Sequence, residues 1–249
     1  MFLHKNLEAI QASWELPLIL SKQDEYPASR RNHLQALETI SHYLAPPGKL
    51  LDFGCGGGFF LGTARELGWE VYGLEPLPAH AVYARAKFHA QVKTDVLRAD
   101  TYPAAFFDVI AAFQVFEHLP TPRADLEKLV SFLKPGGLMV IEVPNIDNWS
   151  VRLLGVRHRH FVQDHLYFFS AATLSALFRL AGLDVLQSYS PPRRMSLGHL
   201  VHAWAGRLLP GPVARLSASV VDRLGIAGCQ VSLNLGDIIT VIGRKPAVG

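Results

Sequence analysis

The chain has 249 residues, 49% of them hydrophobic and 18% charged, where an average globular protein carries about 25% charge. That length and apolar content suit one domain with elaborations and exclude disorder as the main state. Lys+Arg 24 against Asp+Glu 21 leaves a net charge of +3, too even a balance to argue for a nucleic-acid partner, and the two cysteines, Cys55 and Cys229, are too few for a disulfide framework or a Cys-rich zinc site.

Leu3, Leu7, Ile10 and Trp14 recur at helical spacing, as do Leu34, Leu37, Ile40 and Leu44, which predicts a helical cap over 1–45, stopped by Ala45-Pro46-Pro47-Gly48. An apolar strand Leu50–Phe53 follows, then a glycine-rich turn, a helix to Gly68, a strand Val71–Leu74 and a helix from Pro78. Further strands are expected at Gln91–Val96, Asp108–Phe113 and Leu138–Val143, with a helix Arg123–Leu133 before the last of these. After an Arg- and His-rich segment come a helix Ser170–Ala181, capped by Ser170, and a strand Leu183–Tyr189. The alternation predicts a doubly wound, mostly parallel α/β sheet of seven strands, with the core over 46–190 and a last strand, Ile238–Gly243, in 237–249. Two amphipathic patterns flank Pro210-Gly211-Pro212, so 191–236 reads as a helical hairpin insertion.

No apolar stretch reaches the roughly 18 residues of a membrane span, and His4, Lys5, Asn6 and Glu8 break up the apolar residues at the start, so a soluble, cytoplasmic protein is expected. In and next to the insertion, Arg193, Arg194, Arg207, Arg215 and Arg223 outnumber Asp222 and Asp237, which makes this hairpin the candidate for peripheral membrane contact, a dimer contact or a lid.

Asp52-Phe53-Gly54-Cys55-Gly56-Gly57-Gly58 lies between the first strand and the first core helix, where a parallel sheet presents its ligand crevice and a helix N-terminus. The dinucleotide spacing G-x-G-x-x-G fails in both frames, at Phe59 and at Leu61, which disfavours a nicotinamide cofactor. An acid, Glu75, ends the second strand, where a carboxylate can accept both hydroxyls of a ribose diol.

Asp52 to Gly58 with Gly73-Leu74-Glu75 resembles the cofactor site of class I S-adenosylmethionine-dependent methyltransferases. Phe107-Asp108-Val109-Ile110, Phe116-Glu117-His118-Leu119-Pro120, Leu133-Lys134-Pro135-Gly136-Gly137 and Glu142-Val143-Pro144-Asn145 are similar to that family's later motifs, in order. His165-Leu166-Tyr167-Phe168-Phe169-Ser170 and Ala181-Gly182-Leu183 resemble the branch that includes the ubiquinone-biosynthesis O-methyltransferases. The resemblance covers residues 45–190 and implies a Rossmann-like fold, S-adenosylmethionine as cofactor and a small-molecule acceptor. It implies that Gly54, Cys55 and Gly56 make room for the methionine part, that Asp52 orients its amino group and that Glu75 holds the ribose. Asp95 and Val96 match the pair at the adenine, with Asp100 the alternative, and Gln114 lines the methionine or acceptor side.

Methyl transfer to a hydroxyl needs a base, and histidine suits that task near neutral pH. His118, directly after the fourth strand, and His165, before the last core helix, are the candidates, each with a structural role as its alternative. His158, His160 and Asp164 lie close in sequence, but an i, i+2 pair on an irregular segment offers no defined ligand geometry, so no metal is expected. The fourth strand ends in Phe113-Gln114-Val115-Phe116, unlike the turn of adenine-N6 methyltransferases, and neither cysteine stands where a pyrimidine-C5 nucleophile would. The expectation is therefore a small-molecule methyltransferase with oxygen as acceptor atom. The rivals are a nitrogen or carbon acceptor, and a cofactor-binding or regulatory protein without turnover.

Overall fold

The computed structural model describes residues 16–155, 158, 160–198, 200, 201, 219–221 and 223–247. Helix α1 (Leu16–Ser41) leads into β1 (Lys49–Phe53), α2 (Phe59–Glu66), β2 (Glu70–Leu74), α3 (Pro78–Phe88) and β3 (Gln91–Lys93). Then come β4 (Phe107–Phe113), a 3-10 turn Phe116–His118, α4 (Pro122–Phe132), β5 (Leu133–Pro144), α5 (Trp149–Leu154) and α6 (Ala171–Leu180). The chain ends with β6 (Asp184–Tyr189), β7 (Arg193–Ser196), β8 (Gln230–Leu233) and β9 (Ile238–Arg244).

The main sheet has seven strands in the order β3-β2-β1-β4-β5-β9-β6. β1 pairs in parallel with β2 and β4, and β9 runs antiparallel to both β5 and β6. The doubly wound α/β architecture is thus as the alternation predicts. Adjacent residues on the central strands face opposite sides, so Leu50, Val109 and Val140 join one core while Leu51, Ile110 and Ile141 join the other. The first core packs Leu37 and Ile40 of α1 with Phe60, Leu61 and Ala64 of α2 and Ala81 and Ala84 of α3. The second takes Leu126, Leu129 and Phe132 of α4 and Leu174 and Phe178 of α6. Each such fully buried side chain contributes about 1.5–3 kcal/mol, which makes both layers necessary to the sheet.

The predicted elements shift at three places. The helical pattern at Leu3–Trp14 lies outside the described residues, and the second pattern is one long helix that stops at Ser41. β3 stops at Lys93 rather than Val96, because the Asp95 side chain accepts the Val96 N–H at 2.8 Å and offers the backbone a turn instead of a ladder. The base of the 191–236 insertion is an antiparallel ribbon, β7 against β8, with Arg193 opposite Leu233 and Ser196 opposite Gln230. Helical residues follow the ribbon at 197, 198, 200 and 201 and return at 219–221 and 223, while 202–218 lie outside the described residues. Among the described residues no helix is long and apolar enough to cross a membrane.

Candidate functional site

Strand order reverses between β1 and β4, so the crevice of this sheet opens at their C-terminal ends. Asp52 sits at the end of β1, nearly buried, and burial pushes its carboxyl well above the usual carboxylate range, with the nearby Glu75 charge adding to the shift. The turn that follows holds Gly54, Gly56 and Gly58 at φ 74°, 51° and 77°, the left-handed region that costs L side chains. At Gly54 a Cβ would lie 2.6 Å from Val115 Cγ2, so glycine is also a steric requirement. At Gly56 the nearest atom to a Cβ would be His80 Nδ1 at 3.8 Å, so this position leaves room above the turn.

Glu75 closes the far side of the turn. Its carboxylate accepts the Gly56 N–H at 2.8 Å through Oε2 and the Leu77 N–H at 2.9 Å through Oε1, while its own N–H reaches the Lys93 carbonyl at 3.0 Å. Each carboxylate oxygen retains lone-pair capacity for a second donor. A buried acid, an open glycine turn and a held carboxylate meet here, a donor and acceptor set that fits the amino group and ribose diol of S-adenosylmethionine.

Cys55 belongs to the turn through its backbone, but its side chain is buried beneath it: a Cβ on Gly73 of β2 would lie 2.6 Å from Cys55 Sγ. Burial raises that thiol well above its ordinary value. Asp95 and Val96 follow β3. Asp95 pairs with Arg98, accepting its Nη1–H at 2.7 Å, which holds the carboxyl below its ordinary value, and Val96 is 56% exposed. Asp100 lies 3.8 Å from Arg98 Nε and is largely solvated.

Gln114 leaves β4 at φ 57°, a strained value for a residue with a side chain, and this turns the chain out of the sheet toward Phe116–His118. Its N–H continues the ladder to the Glu142 carbonyl at 2.8 Å, and its Nε2 donates to Glu142 Oε1 at 3.3 Å. Glu142 is itself buried, accepts Thr240 Oγ1–H at 3.2 Å and is ion-paired with Arg193 of β7. The Asn32 side chain of α1 accepts the Arg194 N–H at 3.0 Å. Ribbon and α1 therefore meet at the C-terminal ends of β4 and β5.

The two predicted histidines come together. The rings of His118 and His165 stand edge to face, centroids 4.8 Å apart. His118 Nδ1 is 2.9 Å from the Asp164 carbonyl oxygen, which can only accept, so Nδ1 carries the proton and Nε2 the lone pair. Burial, with the His118 charge next, lowers the His165 pKa, and His165 Nδ1 is buried without a hydrogen-bond partner.

Glu117 stands in the Phe116–Pro120 motif, where its residue type alone marks no special role. Its side chain is 1% exposed and both carboxylate oxygens lack a hydrogen-bond partner. Burial chiefly, with Glu142 and Asp164 adding, pushes its pKa up to about 8. Asp164 does not stand with His158 and His160: it faces His118, with Oδ2 3.6 Å from Nδ1, and Asp237 lies beside the two histidines instead. Glu117, His118 and His165 form a second set whose possible ligand atoms all lie within 4.8 Å of one another.

The methyltransferase-domain family profile matches residues 24–188. A ubiquinone biosynthesis O-methyltransferase of Bradyrhizobium sp. (strain ORS 278) is 33% identical over 122 residues, 46% of this chain and 46% of the relative. One of Xanthomonas axonopodis pv. citri (strain 306) is 30% identical over 163 residues, 60% of this chain and 68% of the relative. The match to the Bradyrhizobium protein thus spans less than half of that relative's length. Among solved structures, an S-adenosylmethionine-dependent methyltransferase from Archaeoglobus fulgidus superposes with a TM-score of 0.60 at 20% identity, covering 93% of this chain and all of that one. With the family profile spanning most of the core and the seven-stranded order set out above, the chain belongs to the methyltransferase-domain family.

Proposed function

We infer that the protein transfers a methyl group from S-adenosylmethionine to a hydroxyl oxygen of a small molecule. The observation that carries this reading is the hydrogen bond from His118 Nδ1–H to the Asp164 carbonyl, because it leaves a basic Nε2 at the end of β4. The ubiquinone-biosynthesis relatives support oxygen as the acceptor atom.

Asp52, the Gly54–Gly56 backbone and Glu75 hold the cofactor, with Asp95 and Val96 toward its base and Gln114 toward its methionine end. When bound, the cofactor supplies a methyl on a sulfonium, a good leaving group that needs no further activation. The protein's part is then to position the acceptor, exclude water and take one proton. His118 Nε2 takes the hydroxyl proton, Asp164 orients the ring, and the Asp164 carboxylate faces the imidazolium that forms. Glu117, neutral near pH 7, does not compete as a fixed charge. His165 packs against His118 and lines the acceptor side.

Calorimetric titration with S-adenosylhomocysteine, with NAD as control, tests the cofactor half of this reading. Binding of the first alone supports it and leads to a turnover screen on phenolic and lipid-like hydroxyls. Absence of binding removes the roles given to His118 and His165. Binding with turnover only on amines reassigns the acceptor atom, and binding with no turnover on any acceptor class assigns a cofactor-binding protein instead.

A further inference from the structure

The segment between β5 and α5 and the loop that leads into β9 are tied together by main-chain and side-chain hydrogen bonds. Asn145 donates its N–H to the Asp237 carbonyl at 2.9 Å and its Nδ2–H to the Gly236 carbonyl at 2.9 Å, and Asn148 Nδ2 donates to the Leu235 carbonyl at 2.6 Å. A Cβ on Gly236 would lie 2.9 Å from Asn148 Nδ2, so the two loops are in tight contact. Three side chains meet at this junction: His158, His160 and Asp237, all buried, with possible ligand atoms all within 4.8 Å of one another.

Their hydrogen bonds order the protons. Ser150 Oγ donates its one proton to Asn148 Oδ1, so its 2.9 Å contact with His158 Nε2 is an N–H donated by the imidazole. His158 therefore carries its lone pair on Nδ1, where it accepts the His160 N–H at 3.3 Å, a long hydrogen bond that ligation to a metal would replace. This is the arrangement in which a ligating histidine has its other nitrogen anchored by a neighbouring side chain. His160 Nε2 is buried and has no hydrogen-bond partner, although Asp237 Oδ2 stands 3.5 Å away. A charge-assisted hydrogen bond would draw these atoms to about 2.7–2.9 Å. Two ligand atoms on one tetrahedral zinc, at bond lengths of about 2.0–2.2 Å, are instead about 3.3–3.6 Å apart.

We propose that His158, His160 and Asp237 form a binding site for a divalent transition metal ion, zinc by chemical preference. Two imidazoles and one carboxylate suit a borderline cation rather than calcium or magnesium, which take oxygen ligands. The ion pins His158 and His160 to the loop that leads into β9 and leaves a fourth position for water. It also holds His160, from which the chain runs through Val162, whose carbonyl accepts the His165 N–H at 3.3 Å, so the site braces a residue of the acceptor wall from behind. The proposal stands whether or not His165 acts in methyl transfer.

The test uses the full chain, stripped with a chelator and titrated with Zn2+ alone by calorimetry, with Co2+ absorption to read coordination geometry. The expected result is one tight zinc per chain, a tetrahedral cobalt spectrum and a melting temperature that rises with added zinc. His160→Ala and Asp237→Asn weaken zinc binding about 100-fold or more, while Glu117→Gln, in the other histidine–carboxylate group, binds zinc as the wild type does. Circular dichroism of the stripped variants separates lost ligation from lost folding, and the wild-type titration stands without them. Absence of zinc binding by the wild type at micromolar concentration overturns the proposal. So does unchanged affinity in a folded His160→Ala, or loss of the site in Glu117→Gln alone.

Discussion

The Gly56 main-chain N–H donates to the Glu75 carboxylate at 2.8 Å, so the glycine turn after β1 and the acid that ends β2 form one hydrogen-bonded unit. Leu77 completes it from the other side at 2.9 Å. The acid that would meet a ribose is thereby held in place before any ligand arrives, and little conformational freedom remains to be lost on binding.

Replacing Glu75 by alanine therefore removes both the ligand contact and the brace on the turn. Affinity for S-adenosylhomocysteine should fall by about 1.5–3 kcal/mol, the range for hydrogen bonds to a charged group. Glu75→Gln should fall between, because one of its two faces then presents a donor to the Gly56 or Leu77 N–H. Calorimetry reads this directly, and an unchanged dissociation constant in Glu75→Ala would take Glu75 out of the site.

How much of this was legible from sequence follows how local each feature is. Gly54 to Gly58 and Glu75 act through a turn and a strand end, and both are visible as residue types at fixed spacing. The partnership of His118 with Asp164 spans a long stretch of chain, and nothing in the residues around either one marks it. The ribbon β7–β8 was missed for a similar reason. Arg193 to Ser196 carries no apolar alternation, and its position is set by the Arg193–Glu142 ion pair and by Asn32 on a distant helix. Glu117 lies in the Phe116–Pro120 motif, but burial is what makes it unusual, and burial is not a property of a motif.

If His118 is the base, its loss should appear in turnover and not in cofactor binding. His118→Ala should lower kcat roughly 100-fold or more, with the S-adenosylhomocysteine dissociation constant nearly unchanged. Single-turnover kinetics beside calorimetry separate the two quantities. Parallel losses in both would make His118 a structural residue of the Phe116–His118 turn.

The buried Glu117 carboxyl gives stability a defined dependence on pH. Its folded pKa of about 8 lies above the ordinary carboxylate value of 4.5, so the folded state binds the proton more tightly than the unfolded chain. The resulting stability is fully present below about pH 4.5 and is lost as pH rises through about 8, by a few kcal/mol at most. Urea midpoints at pH 5, 7 and 9 should thus decline more steeply for the wild type than for Glu117→Gln, which cannot ionise. Parallel declines would mean that Glu117 is solvated or paired when charged.

Gly54 links the turn to the exit from β4, because its missing side chain is the space that Val115 fills. Gly54→Ala meets two separate penalties: about 1–2 kcal/mol for an L residue at φ 74°, and about 1–3 kcal/mol for overlap with Val115 Cγ2. Val115→Ala removes the overlap and leaves the backbone penalty, so the double variant should be more stable than the sum of the single effects implies. A coupling energy near 1 kcal/mol from urea unfolding of the four proteins is the expected outcome. Additive losses would mean that the turn moves away from Val115 when Gly54 is replaced, and cofactor affinity would then fall further in Gly54→Ala than packing alone requires.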